Sequence, residues 1–414
     1  MKLRQVVVIL STGVALATPM SNEGLSQLSI FEALASHASA AEIALLGDLA
    51  VTRRSSTCTK DNIVTRRPWG SISKQERKSY TDAVLCLQSL PARTPTSLVP
   101  GVRSRYDDFV ATHINQTLNI HYTGNFLAWH RWFTWQYEQA LRNECGYSGY
   151  QPYWNWGLYA EDPASSPVFD GSESSMGSNG AYIADKGPIA LTLGDYPIIY
   201  LPAGSGGGCV TAGPFKDMVV NLGPVSLPLN NGSVITGSGF QYNPRCLKRD
   251  VSAAVNMAYA NMTSIVNLIL QNDNIWDFQM AMQGVPGSGS IGVHGGGHYT
   301  VGGDPADDVF VSPGEPVFYL HHGMIDLVWW VWQLLDYKDR KYAINGTNTF
   351  LDQPPSANAT LDDIVDLYYA GGGPITIREL MIEVQQDCRK VLFGFGHSTD
   401  LDFKFTKFQF RDSE

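Results

Sequence analysis

The chain has 414 residues, 44% of them hydrophobic and 11% aromatic, with a formal net charge of −10 at pH 7. Such a composition belongs to a globular protein with a sizeable core, and the length allows one large domain or two smaller ones. The acidic balance, with no basic run longer than pairs such as Arg53-Arg54 and Arg66-Arg67, excludes nucleic acid as an expected partner.

Residues 1–17 read as a secretory signal peptide. Lys2 and Arg4 make a charged start, 6–16 an apolar run, and Ala15-Leu16-Ala17 a small-x-small cleavage site. The apolar run is short for a membrane span and no second span is expected, so the protein should enter the secretory pathway or be secreted. Six widely spaced cysteines (Cys58, Cys86, Cys145, Cys209, Cys246, Cys388) then predict three disulfides, with fifteen pairings open. Glycan is expected at the sequons of Asn231, Asn261, Asn345 and Asn358, which lie in polar or turn-like surroundings. The sequon at Asn115 sits among histidines and is expected to be buried and bare.

In chain order, residues 18–54 form an N-terminal helical segment, with one or two Ala- and Leu-rich helices over 26–49. It ends at Arg53-Arg54, a linker or the processing site of a short pro-segment. Ser73 and Glu76 make a capping-box start for a helix over 74–90, which Pro91 stops. The stretch 106–113 has apolar residues at helical spacing and places His113 on a buried face. After Gly124 a second helix, 127–143, carries His130 among tryptophans. Residues 160–250 are rich in Gly, Ser and Pro and predict irregular loops with a few strands. Helical periodicity resumes over 253–271. A Trp-rich apolar helix follows at 318–335, then a helix at 378–392 and a strand at 403–410. The expected fold is mainly α: a four-helix bundle holding a binuclear metal site, with long irregular loops and a few short strands.

The histidines carry the chemistry. Of nine, His113, His121 and His130 form one group, and His294, His298 and the pair His321-His322 form another. Neutral imidazole is the commonest metal ligand near pH 7. Two groups of three nitrogens, with no Cys or carboxylate at matching spacing, suit two borderline-soft transition metals. His37 and His397 stand apart and read as ordinary structural histidines. His294 and His298, four apart, would share one helix face, although Gly295-Gly296-Gly297 between them is a poor helix interior.

These motifs resemble those of the tyrosinase, catechol oxidase and haemocyanin superfamily of coupled binuclear copper proteins, in the short form found among fungal polyphenol oxidases. The resemblance is carried by His113-x7-His121-x8-His130, His294-x3-His298, and Pro316-x-Phe318-x-x-His321-His322-x3-Asp326-x-x-Trp329. Arg67-Pro68-Trp69 and Pro152-Tyr153-Trp154-Asn155-Trp156 fit as well. It implies a tyrosinase-type copper domain over 55–414 with two copper ions. His113, His121 and His130 would hold one ion, His294, His298 and His322 the other. His321 and Asp326 would support the ligands, and Gly295 and Tyr299 would line the substrate pocket. The implied reaction is the oxidation of o-diphenols or o-aminophenols by O₂ to quinones or quinone imines, in tailoring a fungal metabolite.

Departures from the family pattern sharpen this. Relatives that hydroxylate monophenols often carry Asn directly after the first histidine of the second site and a nearby Glu. Gly295 stands there, and no Glu occurs between residues 271 and 294, which implies weak monophenolase activity. Asn119 replaces the Cys that in many fungal relatives is joined to the second histidine. Glu315 replaces an Asp, and Leu327 a basic residue. Zinc fits the same six imidazoles, so a zinc-bound, cyclopenase-like enzyme of a non-redox rearrangement is the alternative, and an oxygen carrier a third.

Overall fold

The chain builds its core from helices. The computed structural model describes residues 20–52, 64–381 and 391–393. The leader at 1–17, Arg53-Arg54, Cys58, Cys388, His397 and the strand expected at 403–410 lie outside them. In chain order the main helices are α1 (Asn22–Thr52), α2 (Lys74–Ser89), α3 (Arg105–Ile120), α4 (Phe126–Cys145), α5 (Ala253–Tyr259), α6 (Met262–Leu270), α7 (Ile275–Gln283), α8 (Gly292–Val301) and α9 (Val317–Leu335).

Their boundaries follow local chemistry. Ser73 and Glu76 close a reciprocal capping box at the start of α2, and Ser104 and Asp107 do the same for α3, each satisfying backbone donors that a helix start leaves free. α4 ends where Gly146 turns left-handed at φ 69°. α9 is buried on every side from Val317 to Leu334, which marks it as the central helix. α4, α8 and α1 pack directly on it, α3 packs on α4, and α7 and α5 back α8.

α1 buries one stripe: Phe31, Ala35, Ala38 and Glu42, flanked by the partly buried Leu28 and Leu45. The spacing alternates three and four residues, so the stripe stays on one face, and the two alanines let the helix approach α9 and α6 closely. Glu42 Oε2 accepts the indole N–H of Trp330 on α9 at 2.5 Å. The helical segment ahead of the Arg53-Arg54 linker or processing site is therefore packed into the core. Its single full-length helix also exceeds the 26–49 expectation.

Three other expectations need correction. The apolar stretch Ala253–Leu270, long and apolar enough by composition to cross a membrane, is two helices. Asn261 starts a new helix by capping the N–H of Ser264. Of the helix expected at 378–392, the described residues show one turn, Ile377–Leu380, and at its far end a strand, Val391–Phe393, parallel to Val64–Arg66; residues 382–390 lie outside the described residues. Asn115 is exposed, because Thr117 and His113, not Asn115, share the inward face of α3. Its sequon has the same access to solvent as those of Asn231, Asn345 and Asn358, while Asn261 is half-buried.

The Gly- and Ser-rich span 160–250 forms short antiparallel pairs, Gly180–Tyr182 with Gly207–Val210, Ile189–Leu191 with Ile199–Leu201, Val219–Val220 with Arg245–Cys246, and Ser226–Pro228 with Val234–Thr236. Two disulfides join described residues. Cys86–Cys145 staples α2 to α4, and Cys209–Cys246 ties the loop layer.

Candidate metal centre

The first histidine group comes from α3, the turn after it, and α4. His113 lies on the buried face of α3, His121 caps its C-terminus, and His130 lies in the first turns of α4. Each Nδ1 meets a backbone carbonyl: His113 with Phe310 at 2.9 Å, His121 with Thr117 at 3.0 Å, His130 with Phe126 at 2.8 Å. A carbonyl only accepts, so each Nδ1 carries the ring proton and each Nε2 keeps its lone pair. The ring nitrogens of the three lie within 4.8 Å of one another. Nε2 of His113 and of His130 is buried without a partner, an arrangement that costs free energy unless something occupies the common centre.

The second group comes from α8 and α9. α8 is helical straight through its three glycines. Tertiary packing explains why they are there. A Cβ on Gly297 would stand 2.2 Å from His321 Nδ1, and one on Gly296 would stand 2.8 Å from Tyr259 Cβ, so α9 and α5 approach α8 only because side chains are missing. The weak helix propensity is overridden by that packing. His294 and His298 then share one face, with Nε2 atoms 3.3 Å apart. Two nitrogens each about 2.0–2.1 Å from a tetrahedral ion would be separated by about 3.3–3.4 Å, so the spacing suits one shared metal. His322 completes the set, and neither of its ring nitrogens has a hydrogen-bond partner. His321, read from sequence as a supporting neighbour, is as near: the four imidazoles of His294, His298, His321 and His322 offer nitrogens within 4.8 Å of one another.

The two groups face each other. The rings of His130 and His322 stack with centroids 4.5 Å apart and planes 12° apart, and His121 lies 5.8 Å from His294. Burial pushes His121 down to about 4 and His321 to about 3, and drives His113, His130, His294, His298 and His322 well below the ordinary imidazole value. Neighbouring imidazoles add to the effect for these five. All seven rings are therefore neutral at pH 7, as metal ligands must be.

The other sequence-predicted residues divide. Gly295 and Tyr299 are half-buried on α8. Tyr299 packs with Ile189, Leu201, Val255 and Ile291 and donates its hydroxyl to Asp307 O at 3.4 Å, so it is anchored in an apolar cluster beside the centre. Asp326 does not hold a ring nitrogen. Its two oxygens accept Arg131 Nε at 2.6 Å and an Arg66 N–H at 3.0 Å, and Arg66 also reaches Glu138. Glu315 is paired with Arg249 at 2.6 Å, and Leu327 is fully buried. Sequence reasoning missed the Phe310 carbonyl, the Arg131–Asp326 bridge and the residues that hold the His121 turn. All of these join positions too far apart in sequence to leave a local signal.

Comparison with known proteins agrees with this geometry. Residues 103–335 match the family model of the common central domain of tyrosinase. Tyrosinase P of Aspergillus terreus is 43% identical over 302 residues, 73% of this chain and 84% of the relative. An N-acetyl-6-hydroxytryptophan oxidase of Emericella nidulans is 42% identical over 338 residues, 78% and 90% of the two chains. The solved structure of a mutant polyphenol oxidase from Thermothelomyces thermophila superposes with a TM-score of 0.83 at 44% identity, covering 89% of this chain and 98% of that one.

Proposed function

The chain belongs to the tyrosinase family, and from that membership we propose that it is a copper-dependent oxidase that converts o-diphenols or o-aminophenols to quinones or quinone imines with O₂. The observation that carries this reading is the pair of facing imidazole groups, with the first group's Nδ1 protons all committed to backbone carbonyls. In it His113, His121 and His130 hold one copper and His294, His298 and His322 the other. Bound copper would supply the two-electron exchange with O₂ and with the phenol.

The protein's own contribution is positional. Six neutral nitrogens bring no net charge to the centre, so both copper oxidation states are tolerated without a charged ligand. The carbonyls of Phe310, Thr117 and Phe126 fix which nitrogen of each ring carries the proton before any metal arrives. α8 is the open side: His298, Gly295 and Tyr299 are its partly exposed residues around the centre, so a flat aromatic substrate with O₂ as co-substrate approaches there. Gly295 presents no side chain that could take a phenolic proton, which favours substrates already carrying two adjacent heteroatoms and disfavours monophenols. The name of the Emericella relative specifies a hydroxylated indole with a single ring hydroxyl, a substrate class that the proposed o-diphenol preference sets apart from this chain's. Two disulfides agree with secretion, and the exposed sequons with glycosylation.

A second reading draws on His321. Four imidazoles in one group could close a four-coordinate zinc site, as in a non-redox rearrangement. Oxygen uptake separates the two. With 4-tert-butylcatechol and 2-aminophenol the copper reading predicts uptake, with little on 4-tert-butylphenol; no uptake with any of the three contradicts it.

A further inference from the structure

We propose that Gln283 is a positioning residue for His121, holding the following residue so that the one candidate ligand lying off a helix stays aimed at the first metal. This rests on the metal-binding reading above. His113, His130, His294, His298 and His322 lie within α3, α4, α8 and α9, whereas His121 is already past the end of α3, with φ −119° and ψ 142°. Its direction is set by the turn that follows.

That turn is strained. Tyr122 has φ 51°, the left-handed region that a residue with a Cβ avoids unless its surroundings impose it. Gln283, the last residue of α7, imposes it from both ends. Its side-chain Oε1 accepts the backbone N–H of Tyr122 at 2.7 Å, and its backbone carbonyl accepts the Tyr122 hydroxyl at 2.8 Å. If Tyr122 relaxed to negative φ, the 121–122 peptide would turn and carry the His121 ring with it. The His121 Nδ1 bond to Thr117 O fixes the tautomer and leaves the chain direction beyond it free.

Gln283 is itself buried and braced. Its Nε2 donates to Gln279 O at 3.2 Å, and Gln279 Nε2 donates to Asn345 O at 2.6 Å. The Tyr122 ring meets Phe350 edge-on at 5.1 Å. On the outer side, Asn119 gives its amide to Asn348 O at 3.0 Å and makes no bond to His121. Gly124 N–H is held by Thr347 O at 2.9 Å further along the turn, and the contacts on Tyr122, the residue next to His121, run through α7.

The test uses copper-loaded protein and follows transfer of copper to the chromophoric Cu(I) chelator bicinchoninate, with Tm measured in parallel. Gln283→Leu removes the acceptor of the Tyr122 N–H. Gln283→Glu keeps a side-chain oxygen that can accept the Tyr122 N–H. In Gln283→Leu one of the two coppers should leave at least tenfold faster than in wild type while the other keeps its rate, and Gln283→Glu should restore the slow release. Both coppers leaving at wild-type rates would overturn the inference, as would both leaving faster together with a fallen Tm, the mark of a general loosening. A wild-type protein that holds no metal pair would overturn the functional reading itself, a result distinct from either.

Discussion

Arg131 Nε donates to Asp326 Oδ1 at 2.6 Å, and each residue belongs to a helix carrying a histidine of a different group. Arg131 follows His130 on α4; Asp326 stands one turn beyond His322 on α9. The pair is buried, and Arg66 occupies the second carboxylate oxygen. It locks the two helices in register where the His130 and His322 rings stack. Removing the Asp326 carboxylate takes a buried ion-pair partner from both Arg131 and Arg66, while Arg66 keeps Glu138, and breaking such a buried bridge costs about 3–5 kcal/mol. Asp326→Ala should lose that much in urea unfolding, and Asp326→Asn less. A loss below about 1 kcal/mol would show that the bridge does not hold α4 to α9.

The glycines of α8 give a graded prediction. Gly297→Ala places a Cβ 2.2 Å from the His321 ring, whereas the nearest atoms to a Cβ on Gly295 belong to the side chain of Ile291, one turn earlier, at 2.9 Å. Gly297→Ala should therefore weaken metal retention by the second histidine group and lower Tm, and Gly295→Ala should do much less. Metal content after dialysis checks this, and equal behaviour of the two variants contradicts it.

Acid should destabilise the metal-free protein. His121 is held at about 4 and His321 at about 3, against 6.5 for an ordinary imidazole. Between those values the unfolded chain binds protons that the folded chain refuses, so stability is complete above about pH 6.5 and is lost as pH falls toward 4 and 3. Each such imidazole contributes a slope of about 1.4 kcal/mol per pH unit inside its window. The Tm of chelator-treated protein should fall steadily from pH 7 to 4.5. A flat Tm over that range would contradict buried neutral rings.

Cutting the chain before Ser55 should destabilise it. α1 removes Phe31, Ala35 and Ala38 from water and satisfies Trp330 through Glu42. A fully buried Phe alone is worth about 1.5–3 kcal/mol, and the loss would also strip one side of α9. A shortened protein starting at Ser55 should unfold at a clearly lower temperature. An unchanged Tm would contradict a structural role for α1.

Much of the centre was legible because its signals are local. The capping box at Ser73, the spacing of His113 along α3 and the i, i+4 relation of His294 to His298 can all be read within a few residues. α7 went unread although Asn274 caps it, because the stretch lacks a clear apolar period and is followed by Gly284. The helix over Gly295 to Gly297 ran against propensity, since its cause lies in α5 and α9. The His113 proton reaches Phe310, 197 residues away, and Arg131 reaches Asp326 across 195. Such partners are chosen by the packed fold and leave no trace in spacing.

The most direct measurement is the metal content of purified protein, wild type beside His130→Ala and His298→Ala, with oxygen uptake on 4-tert-butylcatechol recorded on the same samples. Two coppers per wild-type chain, one in each variant, and uptake in the wild type alone is the predicted result. Zinc in place of copper, or a variant that keeps both ions and full uptake, would contradict it.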